Sequence, residues 1–315
     1  MSQAAPHAEA NAELRQGLVY GLSAYGMWGF FPAYYKLTDT VPADLVVSHR
    51  ILWSVLFVGL FLYLKGRWPE VREVFAQPKV VLGLCASASF IGVNWLVFVW
   101  AIASDHVLDI SLGYFINPLV SILVGLAVLR ERMSKGQGIA VAIAAAAVVL
   151  QAVLAGGLPW VSLVLAFSFA GYGYMRKVIP VKATPGLFVE TVLLFPLAAA
   201  YVLLSLSWGA DALSLNDLPV LAALAGSGIV TALPLVLFSS AARRVPLFML
   251  GLMQYLAPSL HFLLAVFVWD EALDQTKLLT FAMIWGALVI FTYDSWRRYR
   301  PAAPVSQGKG SGTVP

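Results

Sequence analysis

The chain has 315 residues, 60% of them apolar and 11% charged, with a formal net charge of +4 and one cysteine. A water-soluble domain carries about a quarter charged residues, so this composition excludes an ordinary soluble fold and makes lipid the main solvent. The basic residues stand in short clusters between apolar runs, which speaks against nucleic acid as a partner, and Cys85 alone can build neither an intrachain disulfide nor a cysteine zinc site.

Residues 1–16 are Ala-rich, with Glu9, Glu13 and Arg15, and lack the basic start and cleavage site of a removable signal peptide. They read as a cytoplasmic tail before a helix that stays in place. A bilayer core about 30 Å thick takes about 20 residues of helix. Ten apolar runs of that order follow: 17–37, 44–64, 80–103, 107–129, 136–154, 158–177, 185–206, 218–240, 246–268 and 277–296. Trp68, Trp160, Trp208, Trp269 and Trp296 fall at their ends, where an indole anchors at the headgroups. Residues 298–315, rich in Gly, Ser and Pro, read as a disordered cytoplasmic tail.

Lys and Arg are retained on the cytoplasmic side of a membrane. With the N-terminus inside, seventeen of the twenty basic residues, Arg176 and Lys177 among them, fall inside. Lys36 and Lys277 fall outside and Arg50 lies within the second span. This alternation predicts both termini in the cytoplasm.

The chain also matches itself at an offset of 140 residues, which places Pro118 on Pro258, Ala101 on Ala241 and Glu131 on Glu271. Each proline precedes its glutamate by thirteen positions. Five spans per half make the two copies face opposite ways, the inverted duplication that suits alternating access about a midplane site. The expected fold is therefore an all-α integral membrane protein of ten transmembrane helices in two inverted five-helix repeats, 17–154 and 155–297.

Ionisable groups inside a span default to function because lipid penalises their charge. Arg50, beside His49 in the second span, can hold a carboxylate with its planar guanidinium, or else snorkel outward. Glu190 in the seventh span can carry a coupled proton, or else satisfy Thr191 and nearby backbone. Asn94, Tyr114, Asn117 and Gln254 must meet protein or cavity water, as interhelical glue or as a polar lining. Asn117 could instead serve the carbonyl that Pro118 leaves without its N–H. Tyr25, Trp28, Trp95, Tyr172 and Tyr255 offer aromatic surface for packing or for a ligand ring. His261, among Phe and Leu, reads as a satisfied core histidine, and Gly17 with Gly21 as a close helix contact.

Trp28-Gly29, His49-Arg50, Asn94-Trp95, the run from Ser111 to Pro118, and the segments Phe167 to Lys177 and Pro258 to Glu271 together resemble the RarD group of the EamA-domain drug/metabolite transporters. The resemblance covers roughly residues 15–297. It implies ten helices in two five-helix repeats, a plasma-membrane location and a central cavity lined by helices 1 to 4 and 6 to 9, with helices 5 and 10 outside. It also implies a permease or exporter of a small organic solute, such as an amino acid, metabolite or drug, in a group labelled for chloramphenicol sensitivity.

The substrate-binding set read from the residues and the resemblance is Trp28, His49, Arg50, Asn94, Trp95, Tyr114, Asn117, Tyr172, Gln254 and Tyr255, with Glu190 as the proton-coupling candidate. A membrane-embedded enzyme or lipid-handling protein is the competing class. Against it, the chain has no HExxH or GxSxG sequence, and His7, His49, His106 and His261 are scattered. An uncoupled facilitator or a scaffold stays open. Without a Walker A sequence there is no direct ATP drive, and no metal or cofactor is expected. The expected partners are a small solute and the bilayer, with a homo-oligomer left open.

Overall fold

The computed structural model describes residues 4–104, 106–154, 156–207, 217–268, 270 and 275–299. Trp208, Trp269, Glu271 and the tail from 300 onward therefore lie outside the described residues. The elements in chain order are α1 (Ala4–Gly29), α2 (Phe31–Tyr35), a 3-10 turn (Lys36–Thr38), α3 (Ala43–Leu64), α4 (Trp68–Phe75), α5 (Pro78–Ala103), α6 (Val107–Ala127) and α7 (Lys135–Leu154). There follow α8 (Trp160–Val178), α9 (Ala183–Ser207), α10 (Leu218–Ala242), α11 (Leu247–Met253), α12 (Leu256–Phe267) and α13 (Gln275–Tyr299). Among the described residues there is no strand.

Eight elements are long and apolar enough to cross a membrane: α3, α5, α6, α7, α9, α10, the α11–α12 pair and α13. The first and sixth expected spans, α1 and α8, fall outside that set. α1 opens with a polar N-terminal stretch and α8 ends in Arg176-Lys177, yet both pack inside the same bundle. Helix α1 also begins at Ala4, so residues expected as a tail continue the first helix.

Prolines shape the bundle from within. In α1 the helix stops at Gly29 and resumes at Phe31, because Pro32 has no N–H for the carbonyl of Trp28. The ninth span breaks between Met253 and Leu256: Pro258 removes the N–H due to Gln254, whose carbonyl takes the N–H of Ala257 in a tighter turn at 3.2 Å. Pro118 leaves α6 continuous. The two prolines related by the sequence repeat thus have unlike consequences.

The packing pairs are α6 on α8 and α1 on α12, α3 on α10 and α5 on α9, and α1 on α10 and α5 on α8. The pairs α3–α9, α6–α11 and α7–α13 complete the bundle. One core lies among α1, α3, α5, α8, α9 and α10; a second joins α6, α7, α11 and α13. The α7–α13 seam is lined by Ala140, Ala144 and Ala147, small side chains that let the backbones approach. Gly17 and Gly21 likewise face α10–α11, where a Cβ would come within 2.7 Å of Arg244 and of Met253 respectively. The short α4 was not foreseen in the basic 65–79 loop. Two turns are too few for a clear period, and Val71 and Val74 bury its inner face.

Candidate functional site

A cavity of about 400 Å3 lies where the helix breaks meet. It is lined from the C-terminal part of α1, from α2, the first half of α3, the second half of α5, the first halves of α6 and α8, the second half of α10 and the region from Gln254 to His261. No residue of α9 lines it, so the expected contribution of the seventh helix is absent there. α7 and α13 stay outside, packed on each other.

Arg50 projects from α3 into this space and is 9% exposed. Its Nε donates to Thr231 Oγ1 on α10 at 2.8 Å. The guanidinium carbon lies 5.1 Å from the Trp95 ring centre and 5.5 Å from that of Tyr35, distances at which the aromatic faces attract a cation. No carboxylate pairs with Arg50 among the described residues. The Nε bond and the two rings hold the guanidinium, and among the described residues its Nη groups have no hydrogen-bond partner.

Asn94 spends both amide hydrogens on α8, donating to Leu165 O at 2.9 Å and Ser168 Oγ at 3.0 Å. Only its oxygen is left for the cavity. Asn117 Oδ1 and Gln254 Oε1 are buried without a hydrogen-bond partner. The Tyr255 hydroxyl donates to Phe115 O at 3.2 Å, one residue from the Tyr114 carbonyl that Pro118 leaves bare, and no bond from Asn117 to that carbonyl is present among the described residues. Trp28, Trp95 and Tyr114 also line the cavity, with Tyr114 half-exposed.

Three predicted residues lie elsewhere. His49 is not among the cavity-lining residues, one helical position and about 100° away from Arg50. Tyr172 is fully buried, stacked on Phe238 at 5.7 Å. Tyr255 is fully buried against α6. Lining residues outside the predicted set include Tyr35 and His261. Tyr35 lies beyond the α1 break, and His261 donates its Nε2–H to Trp28 O at 3.0 Å, the carbonyl that Pro32 leaves bare. His261 is thus satisfied, as expected of a core histidine, but it also faces the cavity.

At the cavity floor, Tyr25, Trp28 and Phe169 join Tyr172 and Phe238 in a continuous aromatic layer with ring centres 5.3 to 6.1 Å apart. On its far side Glu190 Oε1 pairs with Arg176 Nη1 at 3.2 Å, both side chains at most 1% exposed. Arg176 also donates from Nε to Ser239 Oγ at 3.0 Å and from Nη2 to Ala183 O at 3.1 Å. Arg176, expected among the cytoplasmic basic residues, is a buried ion-pair partner. Thr191 bonds back to the carbonyls of its own helix and leaves Glu190 alone. Glu190 Oε2, Ser87 Oγ and the Tyr172 hydroxyl lack partners of good geometry and are electrostatic neighbours.

Glu131, expected only as the residue closing its helix, reaches across to α11. Its two oxygens accept the N–H groups of Leu247 and Phe248 at 2.8 and 3.0 Å, and Lys177 lies 3.4 Å away.

A bundle of apolar helices interrupted at a mostly aromatic, partly polar cavity defines a multi-pass membrane transporter, and comparison with known proteins agrees. The sequence profile of the EamA-like transporter family matches residues 15–153. Protein RarD of Salmonella typhi is 45% identical over 90% of this chain and 96% of its own length. An uncharacterised transporter of Pseudomonas aeruginosa is 44% identical over 92% and 98%, and the chloramphenicol-sensitive protein RarD of that organism 33% identical over 91% and 97%. A solved crystal structure at 19% identity superposes with a TM-score of 0.66, covering 90% of this chain and 98% of the other, a likeness of fold. The chain belongs to the RarD group of the EamA-like transporter family and is a multi-pass protein of the bacterial inner membrane.

Proposed function

We propose that the protein is a secondary transporter that moves a small organic solute bearing a carboxylate by alternating access, with the cavity as its binding site. The observation that carries this reading is Arg50, a positive charge held in the bundle with no carboxylate partner among the described residues and its fork turned to the cavity. An intramembrane guanidinium without a counter-ion is costly unless a ligand or water supplies one. In this reading ten helices form two inverted repeats, 17–154 and 155–297, with both termini in the cytoplasm.

The packing supports the inverted repeat. Counting α1–α2 as helix 1 and α13 as helix 10, exchanging each helix with the one five places on maps the pairs 1–9 onto 4–6, 2–8 onto 3–7 and 1–8 onto 3–6. The pairs 2–7, 4–9 and 5–10 map onto themselves. Two related halves can then pack in two ways of similar energy, one open to each side. The cavity occupies the outer half in this orientation, and the aromatic layer with the Arg176–Glu190 pair closes the inner half. Glu190 is the candidate proton carrier, because its second oxygen is buried beside Ser87 and Tyr172 with no fixed donor.

Counterflow in proteoliposomes tests the reading. Trans-loaded carboxylate should drive uptake of labelled carboxylate in wild type, with KM raised in Arg50→Lys; equal transport by the variant removes Arg50 from the site. An imposed pH gradient separates coupled transport from facilitation. Glu190→Gln is expected to lose gradient-driven accumulation and keep exchange.

A further inference from the structure

The cavity's charge and its unused hydrogen-bonding atoms narrow the class of solute, an inference that rests on the transporter reading above. Among the described residues the lining holds one fixed cation, Arg50, and neither Asp nor Glu. Its carboxamides are under-used: Asn117 Oδ1 and Gln254 Oε1 are buried without a donor, and Asn94 has only its oxygen left, beside the donors of Trp28, Trp95 and Tyr35. His261 adds an acceptor, since donating Nε2–H to the Trp28 carbonyl leaves Nδ1 as the lone-pair nitrogen of the neutral ring. The remaining walls are aromatic or aliphatic, among them Trp28, Phe98, Phe169 and Leu235.

We propose that the ligand is a monoanion: a carboxylate joined to an uncharged N–H donor on a flat apolar body, the chemistry of an N-acylated amino acid. The carboxylate takes the Arg50 fork, and the amide N–H meets the orphaned oxygen of Asn117 or Gln254. Site plus ligand is then neutral, and the buried acceptors gain the donor they lack. A zwitterion leaves the occupied site with a net positive charge and places an ammonium where no carboxylate can offset its desolvation. A cation adds repulsion from Arg50. An acid without an N–H leaves the amide oxygens unpaired.

The test is a titration of the full chain in lipid nanodiscs, read by tryptophan fluorescence because Trp28 and Trp95 line the cavity. Four ligands share one ring: N-acetyl-L-phenylalanine, 3-phenylpropanoate, L-phenylalanine and L-phenylalaninamide. N-acetyl-L-phenylalanine is expected to bind tightest, by about tenfold over each of the others, the order of one well-made hydrogen bond or one uncompensated charge. Gln254→Met and Asn117→Leu are expected to bring its affinity toward that of 3-phenylpropanoate while leaving the latter unchanged. The proposal is overturned if phenylalanine or its amide binds as tightly, if the N-acetyl and propanoate forms bind alike, or if none of the four binds. Solute counterflow run in parallel separates the two levels. Exchange of a different labelled solute by a protein that binds none of the four sinks the monoanion class and spares the transporter reading, whereas a protein that exchanges nothing loses both.

Discussion

Arg50 and Arg176 grip the same helix from opposite ends of the bundle: each donates its Nε to a hydroxyl of α10, Arg50 to Thr231 at 2.8 Å and Arg176 to Ser239 at 3.0 Å. Eight residues separate the two hydroxyls, about 12 Å along the axis at 1.5 Å per residue. Pro234 sits between them and removes one rung of the helical ladder. α10 is therefore tied at both levels and weakened in the middle, and its two ties differ in kind. The Arg50 fork has no carboxylate partner among the described residues; the Arg176 fork is consumed by Glu190 and Ala183.

Replacing Arg50 by Lys keeps the charge but loses the Thr231 bond and the flat contact with Tyr35 and Trp95. A charge-assisted hydrogen bond contributes about 1.5–3 kcal/mol, so the Kd for a carboxylate solute is expected to rise roughly ten- to a hundredfold. Ligand titration beside a thermal melt distinguishes this from misfolding: the empty variant is expected to melt cooperatively, at a somewhat lower temperature because the Thr231 tie is lost.

For the inner ion pair the direction reverses. Glu190→Ala leaves the Arg176 charge buried and uncompensated, which is expected to cost about 3–5 kcal/mol. The double variant Arg176→Met/Glu190→Leu removes both charges at similar volume and is expected to recover most of that loss. A double-mutant cycle on detergent-purified protein reads the coupling; additive losses would show the pair contributes nothing as a pair.

Gly228 sits where α3 and α10 touch backbone to backbone: an added Cβ would lie 2.7 Å from Ser54 N, and Ser54 Oγ donates to the Gly228 carbonyl at 3.1 Å. Gly228→Ala must push the helices apart, an overpacking loss of about 1–3 kcal/mol. Gly138 meets nothing within 4 Å, so Gly138→Ala is the control and is expected to be neutral or slightly stabilising. Melting temperatures of the two variants decide the point.

Outside the spans, Arg67 first and Lys182 second hold the Glu70 carboxyl below its ordinary value of 4.5. The folded-state pKa is depressed, so the stabilisation is complete above about pH 4.5 and is lost as pH falls through the lower value. Lys182 is 65% exposed, which keeps the tie between α4 and the α8–α9 connection small and salt-sensitive. Limited proteolysis at the α4 connection is expected to quicken below pH 4.5, and Glu70→Gln is expected to remove that pH dependence.

Apolar run length alone determined that this chain is a helical membrane protein, since backbone N–H and C=O groups in lipid must be satisfied within each segment. Proline position was a weaker guide: Pro118, read as leaving a carbonyl bare, sits in a continuous helix, whereas the breaks at Pro32 and Pro258 beside the cavity went unread. What only the tertiary structure decided was direction. Gln254 and Tyr255 are adjacent and both polar, yet one faces the cavity and the other is sealed against α6. Arg176 and Lys177 are adjacent cations; one is buried with Glu190 while the other reaches Glu131 and the carbonyl of Val245. Successive residues on a helix differ by about 100°. Which of them meets the cavity depends on how each helix is rotated against its neighbours, a choice made by distant contacts such as Gly228 on Ser54 and Gly251 on the Pro118 carbonyl.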